Sequence, residues 1–353
     1  MSDSRLPILL LTGFLGVGKT TWLNRLLREP GYANTAVVIN ELGAVGIDHQ
    51  LVRHASDQIT VLENGCLCCV MNGELVDTLR DLYLKRVKDE VPEFDRVLIE
   101  TTGLADPSPV VGMLSRDAFL DTYYRFDGVL TLVDATVGMA TLDVHFEAVK
   151  QVAMADRVAL TKRDLASDAA LPGALIARIG QINPGVEVAD ARTEAPGALL
   201  GGVQRRPGVG SDARRWLAAD RFVAVKGIGG IAPPPRSGTS SPHDGRVQSF
   251  CVTFDEPVQR DNLRAALEML CAFRGENLLR IKGIVNAIGE SQPLVVHAVQ
   301  HTLYPVETLD DWPDEDHRTR LVFIERDLDA EFIRKTLESF VQAGDGMFAS
   351  RSA

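Results

Sequence analysis

The sequence predicts an α/β fold with a mostly parallel sheet, followed by a smaller α+β domain with a mostly antiparallel sheet. Up to residue 200, short apolar runs alternate with segments in which apolar residues recur at helical spacing, a pattern typical of parallel sheets covered by helices. Residues 201–246 lose this periodicity and contain nine glycines and five prolines, which indicates an irregular linker. From residue 247, strand-like runs follow one another closely. We therefore expect domains at 1–200 and 247–353, joined by the linker.

Length and charge restrict the class of protein. A chain of 353 residues is long enough for two hydrophobic cores. Its net charge of −11 leaves no excess of Lys and Arg to neutralise nucleic-acid phosphates. The sequence begins without a signal-peptide pattern and has no apolar stretch of membrane-spanning length. We therefore expect a cytoplasmic protein with neither nucleic-acid nor membrane partners, and the oligomeric state stays open.

Apolar runs predict the strands of the first domain, and helical spacing predicts its helices. The predicted strands are Leu6–Leu11, Ala36–Ile39, Ile59–Leu62, Arg96–Ile99, Gly128–Val133 and Arg157–Leu160. The predicted helices are Thr21–Leu27 and Gly73–Val87. Polar clusters follow most of these strands, and the ligands of parallel sheets bind at the carboxyl ends of strands. A functional site is therefore expected at this edge of the sheet.

The second domain has a different pattern, in which strands outnumber helices. The predicted strands are Val247–Phe254, Leu278–Val285, Leu294–His301 and Arg320–Ile324, with a short one at Arg221–Val225 in the linker. The predicted helices are Gln259–Ala272 and Asp329–Phe340. Strands that follow one another without intervening helices pair most simply as antiparallel neighbours.

The stretch from Gly13 to Thr21 organises the first domain. It reads G-x-x-x-x-G-K-T between a predicted strand and a predicted helix, the context of a phosphate-binding loop. Glycines allow the loop to turn its N–H groups inward, Lys19 is expected at the β- and γ-phosphates, and the Thr20 hydroxyl at Mg²⁺. The residues expected at the nucleotide are Gly13, Gly16, Val17, Gly18, Lys19, Thr20 and Thr21.

The segment Thr161–Asp164 indicates which base is bound. It follows an apolar strand downstream of the phosphate loop. A carboxylate at Asp164 accepts two hydrogen bonds from the N1–H and N2 amine of guanine, a donor pair that adenine lacks. Thr161 and Lys162 are expected beside the base. The sequence therefore predicts GTP as the nucleotide.

Two further strand ends carry acidic groups. Glu100, at the tip of its strand, is expected near Mg²⁺ and water, and Gly103 is expected to let the backbone approach the γ-phosphate. Asp134 is a weaker candidate for the same neighbourhood, and a helix N-cap role explains it equally well. Lys19 and Glu100 are thus the candidate catalytic groups.

A cysteine cluster follows the third predicted strand. Cys66, Cys68 and Cys69 lie too close together to cross-link a fold, and three thiolates in one loop suit a soft cation such as Zn²⁺. No second Cys-x-x-Cys pair closes a four-ligand structural site, so an open coordination position is expected. The alternative is that these thiols are buried small apolar side chains.

Several motifs together resemble the CobW-like metallochaperone GTPases. They are Gly13–Thr21, Asn40–Gly43, Glu63–Cys69, Glu100–Pro107, His145–Asp164, Arg280–Gly283 and His297–His301. The resemblance covers nearly the whole chain. It implies GTP hydrolysis coupled to handling of zinc, cobalt or iron, with Cys66, Cys68 and Cys69 as metal ligands and delivery to a client metalloprotein. It also implies that Glu41 is a switch-loop acid at the metal or Mg²⁺, and thus a third candidate catalytic group beside Lys19 and Glu100.

The chain departs from the family pattern at three places. Ala44 stands where many relatives have a second acid, Thr161 replaces the commoner Asn of the guanine motif, and the linker lacks a histidine-rich tract.

His297 and His301 lie four residues apart in a predicted strand and are expected as neighbours on one strand face. They are not expected to bind one metal ion together, because four residues along a strand span about 13 Å.

Two other classes of protein stay open at this point. A P-loop enzyme that phosphorylates a small molecule explains the phosphate loop but gives the cysteines no task. A metal-responsive protein that hardly hydrolyses GTP, and uses it only as a switch, explains both motifs. The leading interpretation is a GTPase that carries a transition metal, most simply zinc.

Overall fold

A computed structural model describes residues 4–40, 74–166, 171–201, 224–226 and 247–347. The chain forms two compact units, each containing one sheet. Within the described ranges, no helix is both long and apolar enough to span a membrane. The predicted strand Ile59–Leu62, Glu41 and the cysteine cluster lie outside these ranges.

The first unit is built on a six-stranded parallel sheet. Its strands are β1 Leu6–Gly13, β2 Thr35–Asn40, β3 Arg96–Thr101, β4 Tyr124–Asp134, β5 Arg157–Thr161 and β6 Glu187–Asp190. They lie in the order β2-β3-β1-β4-β5-β6, and every neighbouring pair is parallel. The described helices of this unit are α1 Lys19–Leu26, α2 Glu74–Val87, α3 Ser108–Arg116, α4 Ala118–Tyr123, α5 Gly138–Val144, α6 Phe146–Met154, α7 Leu171–Ile182 and α8 Pro196–Gly201.

The packing of α1 on this sheet positions the phosphate loop. Trp22, Leu23 and Leu26 of α1 are buried in one cluster with Leu9 and Leu11 of β1. Burial of such side chains stabilises the fold by about 1.5–3 kcal/mol each. The helix is thereby held directly behind the end of β1, and the loop between them lies at the carboxyl edge of the sheet.

The second unit is built on a mostly antiparallel sheet. Its strands are β7 Ala224–Lys226, β8 Val247–Phe254, β9 Leu278–Val285, β10 Leu294–Val299, β11 Thr302–Leu303, β12 Glu307–Thr308 and β13 Thr319–Arg326. The order is β11-β10-β9-β13-β8-β7, with β12 on β10, and among these pairs only β7 and β8 are parallel. Two helices, α9 Arg260–Arg274 and α10 Ala330–Met347, share a core with one sheet face.

Both parts of the predicted fold class are confirmed, with corrections to individual elements. β3 and β13 run one or two residues further than expected, so Glu100 lies within β3 rather than at its tip. The strand expected over Leu294–His301 ends at Val299, because the chain turns at Gln300, which has a left-handed backbone with φ 47°. The domain boundaries at 200 and 247 stay predictions.

A buried carboxyl group near the end of β13 makes the second unit sensitive to pH. Glu325 is fully buried, and one of its oxygens has no hydrogen-bond partner in the described part of the chain, while the other accepts from Leu328 N at 2.7 Å. Burial, assisted by Asp327 and Asp329, raises the pKa of Glu325 to about 7 from an ordinary 4.5. The folded state therefore binds a proton that the unfolded state has released.

We expect the free energy of unfolding to fall as the pH rises from 4.5 to 7, by roughly 2–3 kcal/mol, because the folded chain binds more protons over that interval. The variant Glu325→Gln should flatten this dependence and be the more stable chain at pH 8. Urea unfolding at pH 5 and pH 8 checks this, with the exposed Glu276→Gln as control. Equal pH dependence in the native and Glu325→Gln chains would contradict the assignment.

Candidate functional site

The loop between β1 and α1 has the backbone of a phosphate cradle. Gly13, Gly16 and Gly18 have φ values of 143°, 71° and 93°, the region that favours glycine. A Cβ at Gly13 would lie 2.4 Å from the Leu132 carbonyl oxygen, so no larger residue fits. The Lys19 ammonium donates to the carbonyl oxygens of Gly13 and Phe14 at 3.0 and 3.4 Å, across the mouth of the loop.

The start of α1 approaches the end of β3. The Thr20 hydroxyl donates to the Glu100 carboxylate at 3.3 Å, and Glu100 is 4% exposed. Beside them, the Thr102 hydroxyl is buried without a hydrogen-bond partner in the described ranges. A hydroxyl and a carboxylate side by side are the hard oxygen ligands that Mg²⁺ takes. Thr21, by contrast, is exposed on α1.

Gly103 lies directly against the phosphate loop. A Cβ at this position would be 2.5 Å from the Leu15 backbone nitrogen and 2.7 Å from its Cα, distances that real Cβ atoms do not show. The segment after β3 and the phosphate loop therefore touch backbone to backbone. The segment after β3 cannot move closer to the phosphate loop unless the loop moves as well.

The segment after β5 is bonded to the same loop. The Thr161 hydroxyl donates to the Val17 carbonyl at 2.8 Å, and the Lys162 ammonium donates to the Gly16 carbonyl at 2.7 Å. Thr161, which replaces the commoner Asn of the guanine motif, therefore still contacts the phosphate loop. The Val17 side chain is buried in the core below.

Asp134, at the end of β4, is the partner that holds Lys162. Its carboxylate accepts from the Lys162 ammonium at 2.6 Å and from the backbone N–H and hydroxyl of Thr136 at 2.8 and 2.6 Å. Burial opposes its ionisation, but these hydrogen bonds outweigh burial and hold the pKa of Asp134 below its ordinary value. Asp134 therefore orients Lys162 through an ion pair. The alternative N-cap role is wrong, because the N-cap of α5 is Val137, three residues later.

Asp164 lies at the outer end of this arrangement. It belongs to a single 3₁₀ turn after β5, and its carboxylate remains 44% exposed. The only ion pair that it makes within the described residues is to Arg192, at 3.7 Å. This exposed carboxylate is accessible to a base, which is consistent with the role predicted for it.

The cysteines divide into two groups. Cys66, Cys68 and Cys69 lie outside the described ranges, as does Glu41. Cys251 and Cys271 are buried free thiols of the second unit, and burial raises the pKa of each to about 12. Such thiols do not supply thiolates at neutral pH. No cluster of three His, Cys, Asp or Glu side chains suited to a metal occurs among the described residues.

The expectation that His297 and His301 share one strand face is wrong. His297 is buried in β10 and stacks on Tyr304 at 4.6 Å. His301 follows the turn, where its Nδ1 lies 3.0 Å from the Cys271 carbonyl of α9. The turn at Gln300 breaks the alternation on which the expectation depended.

Sequence reasoning missed the contacts that α6 makes. His145, which precedes α6, stacks on Phe14 of the phosphate loop at 4.5 Å. Lys150 and Gln151 reach the segment after Gly103. In the sequence, Gln151 is a polar residue among Val149, Val152 and other apolar residues of one helix, and this pattern could have indicated a buried polar contact.

Two family models match the chain. One is described as the CobW/HypB/UreG nucleotide-binding domain and covers residues 7–190. The other is the cobalamin synthesis protein cobW C-terminal domain and covers residues 247–341. The matched regions contain every strand of the two sheets except β7 and the first residue of β1.

Curated relatives and a solved structure agree with these matches. The zinc chaperone YjiA of Escherichia coli is 33% identical over 93% of this chain and 96% of its own length. The zinc chaperone CobW of Pseudomonas aeruginosa is 28% identical over 95% of this chain and 92% of its own. A zinc-bound triple mutant of the E. coli YjiA GTPase, with one glutamate and two cysteines replaced by alanine, aligns with a TM-score of 0.68 at 26% identity, covering 96% and 99% of the two chains.

Proposed function

Because this chain belongs to the CobW/HypB/UreG family, we propose that it is a GTP-hydrolysing zinc chaperone. It binds zinc through Cys66, Cys68 and Cys69 and releases the metal to a client metalloprotein when GTP is hydrolysed. Cobalt or iron could take the place of zinc at such thiolates, since ligand softness alone does not choose among these metals.

One observation carries the nucleotide half of this proposal. The Thr161 hydroxyl lies 2.8 Å from the Val17 carbonyl oxygen, so the base motif and the phosphate loop are parts of one site. The same site holds Lys19, Thr20 and Glu100 at its floor. These are the parts that a guanine nucleotide requires, arranged along adjacent strand ends.

Each residue then has a definite task. The loop N–H groups bind the phosphate oxygens, and Lys19 exchanges its bonds to the Gly13 and Phe14 carbonyls for the β- and γ-phosphates. Thr20 and Glu100 are the residues that would hold Mg²⁺, which when bound neutralises charge on the phosphates. Asp164 reads the base, and Thr161 and Lys162 hold its segment to the loop.

The metal half of the proposal is supported by relatives and by ligand chemistry. Two full-length relatives are named zinc chaperones. Three thiolates within four residues supply soft ligands and leave one tetrahedral position of zinc open, which suits a metal that must be loaded and unloaded. Glu41 is the candidate acid near the metal or Mg²⁺.

GTP is proposed to control the cysteines through the loops that precede and contain them. GTP and Mg²⁺ order residues 40–44 and 66–73, which brings the thiolates into chelating geometry. Hydrolysis removes the contacts of the γ-phosphate, the loops relax, and the metal is released. The nucleotide and the metal then favour each other's binding to the same extent.

Replacing the three cysteines by serine tests this coupling. We expect the native chain to bind zinc about 5- to 150-fold more tightly in the presence of a GTP analogue than in the presence of GDP. We also expect the GTPase rate of the native chain to change when zinc is added. The Cys66→Ser, Cys68→Ser, Cys69→Ser variant should lose both effects. Competition with a chelator, in each nucleotide state, measures the affinity, and Co²⁺ and Fe²⁺ are compared with Zn²⁺ in the same way.

The two buried cysteines provide the matched control. Cys251→Ala with Cys271→Ala removes thiols that stay protonated, so zinc binding and its nucleotide dependence should persist. A count of bound zinc alone is insufficient, because a YjiA variant that lacks one glutamate and two cysteines still binds zinc. Equal zinc affinity with GTP analogue, with GDP and without nucleotide would refute the coupling.

A further inference from the structure

We propose that Gln151 is a positioning residue for GTP hydrolysis: from α6, its side-chain amide holds the Gly103–Ala105 backbone in place against the phosphate loop. The inference rests on the proposed GTPase function, and it adds a residue of α6 that belongs to none of the motifs named from the sequence as nucleotide or metal ligands. It explains how a segment with little regular structure keeps a fixed position beside the γ-phosphate.

The segment after β3 is fixed on one side by the phosphate loop. Gly103 contacts the Leu15 backbone so closely that a Cβ would overlap it at 2.5 Å. This contact prevents the segment from moving toward the loop, but it does not prevent the segment from moving away. A second contact on the opposite side is needed to hold it.

Gln151 provides that contact. Its Nε2 donates to the Gly103 carbonyl at 3.2 Å and to the Ala105 carbonyl at 3.1 Å, and the residue is 1% exposed. An amide group has two N–H donors, and here both are used on backbone carbonyls two residues apart. The arrangement fixes the direction of the backbone as well as its distance from α6.

The preceding residue of α6 extends the same attachment. The Lys150 ammonium donates to the Asp106 carboxylate at 2.5 Å. The same carboxylate accepts from the backbone N–H of Ser108 at 2.9 Å and from its hydroxyl. Asp106 thus joins α6 to the first turn of α3, and the segment is held from Gly103 to Ser108.

α6 itself is attached to the core and to the phosphate loop. The Thr131 hydroxyl of β4 donates to the Gln151 carbonyl at 2.8 Å. At the other end of the helix, the His145 ring stacks on Phe14 at 4.5 Å. The helix therefore contacts both walls of the predicted γ-phosphate site, and Gln151 is the group that sets the distance between them.

Replacing Gln151 by methionine keeps the shape of the side chain and removes both donors. We expect kcat for GTP to fall by about tenfold to a hundredfold, because a displacement of about 1 Å in a reacting group has effects of that size. KM for GTP should change less, because the loop and Asp164 are intact. Hydrogen exchange of peptides spanning residues 101–107 should become faster. The control is Gln181→Met, which changes an exposed helical glutamine.

A second variant separates positioning from simple loss of packing. In Gln151→Glu, a protonated carboxyl group donates one hydrogen bond to the two carbonyls and an ionised one donates none, so its kcat relative to native should rise severalfold from pH 8 to pH 6. If the native chain does not hydrolyse GTP, the proposed function fails, but exchange at 101–107 still tests the attachment. Unchanged kcat and unchanged exchange in Gln151→Met would overturn the inference.

Discussion

A single methyl group at Gly103 should lower GTP turnover by about a hundredfold. In Gly103→Ala the new Cβ would meet the Leu15 backbone at 2.5 and 2.7 Å, and backbone atoms cannot rotate aside as a flexible side chain can. The phosphate loop and the segment after β3 must therefore separate. Both contribute groups that are expected at the γ-phosphate, so small displacements should act on the transition state more than on binding. Steady-state kcat and KM for GTP measure the effect.

A second glycine provides the control for this substitution. Gly180 lies within α7, and a Cβ there would have no neighbour within 4 Å. Gly180→Ala should therefore leave turnover unchanged and stabilise the chain by about 0.5–1 kcal/mol, as expected for Ala in place of Gly inside a helix. Normal turnover in a folded Gly103→Ala chain would show that this contact is absent from the catalytic state.

The fold was largely predictable because central, buried strands are visible in the sequence as continuous apolar runs. β8 and β9 have the predicted bounds, and β1 and β2 differ from theirs by at most two residues. β6 escapes prediction because it has four residues, of which only Ala189 is buried. A short strand at the edge of a sheet lacks the continuous apolar run that marks a central strand.

The site was predictable only where its chemistry is local in sequence. The phosphate loop and the guanine motif are short patterns, and each is followed by the element that its chemistry requires. The Lys162–Asp134 pair joins residues 28 positions apart, and the Gln151–Gly103 bond joins residues 48 apart. Such contacts depend on which strands are neighbours in the sheet, and a single sequence does not encode that order as a local pattern.

The base specificity should change when Asp164 becomes asparagine. We expect Asp164→Asn to lower the affinity for GTP by at least about a hundredfold, since two hydrogen bonds to a charged group contribute roughly 1.5–3 kcal/mol each. Affinity for xanthosine triphosphate should rise, because xanthine offers an oxygen acceptor where guanine has the N2 amine, and the new amide donates to it. Competition binding with the two nucleotides gives the ratio directly.

A substitution at the opposite edge of the sheet tests whether the loss of one negative charge, without loss of the base contact, is enough to weaken GTP binding. Asp95 precedes β3 and pairs with Arg96 at 2.8 Å, so Asp95→Asn removes the same charge without touching the base segment. Its affinities for both nucleotides should equal those of the native chain. Arg192→Ala removes the residue that lies 3.7 Å from the Asp164 carboxylate. It should leave the preference for guanine intact, because a pair between such exposed groups contributes at most about 1 kcal/mol. If Asp164→Asn keeps the native affinity for GTP, the carboxylate does not read the base, and the 3₁₀ turn after β5 is then only a structural connection.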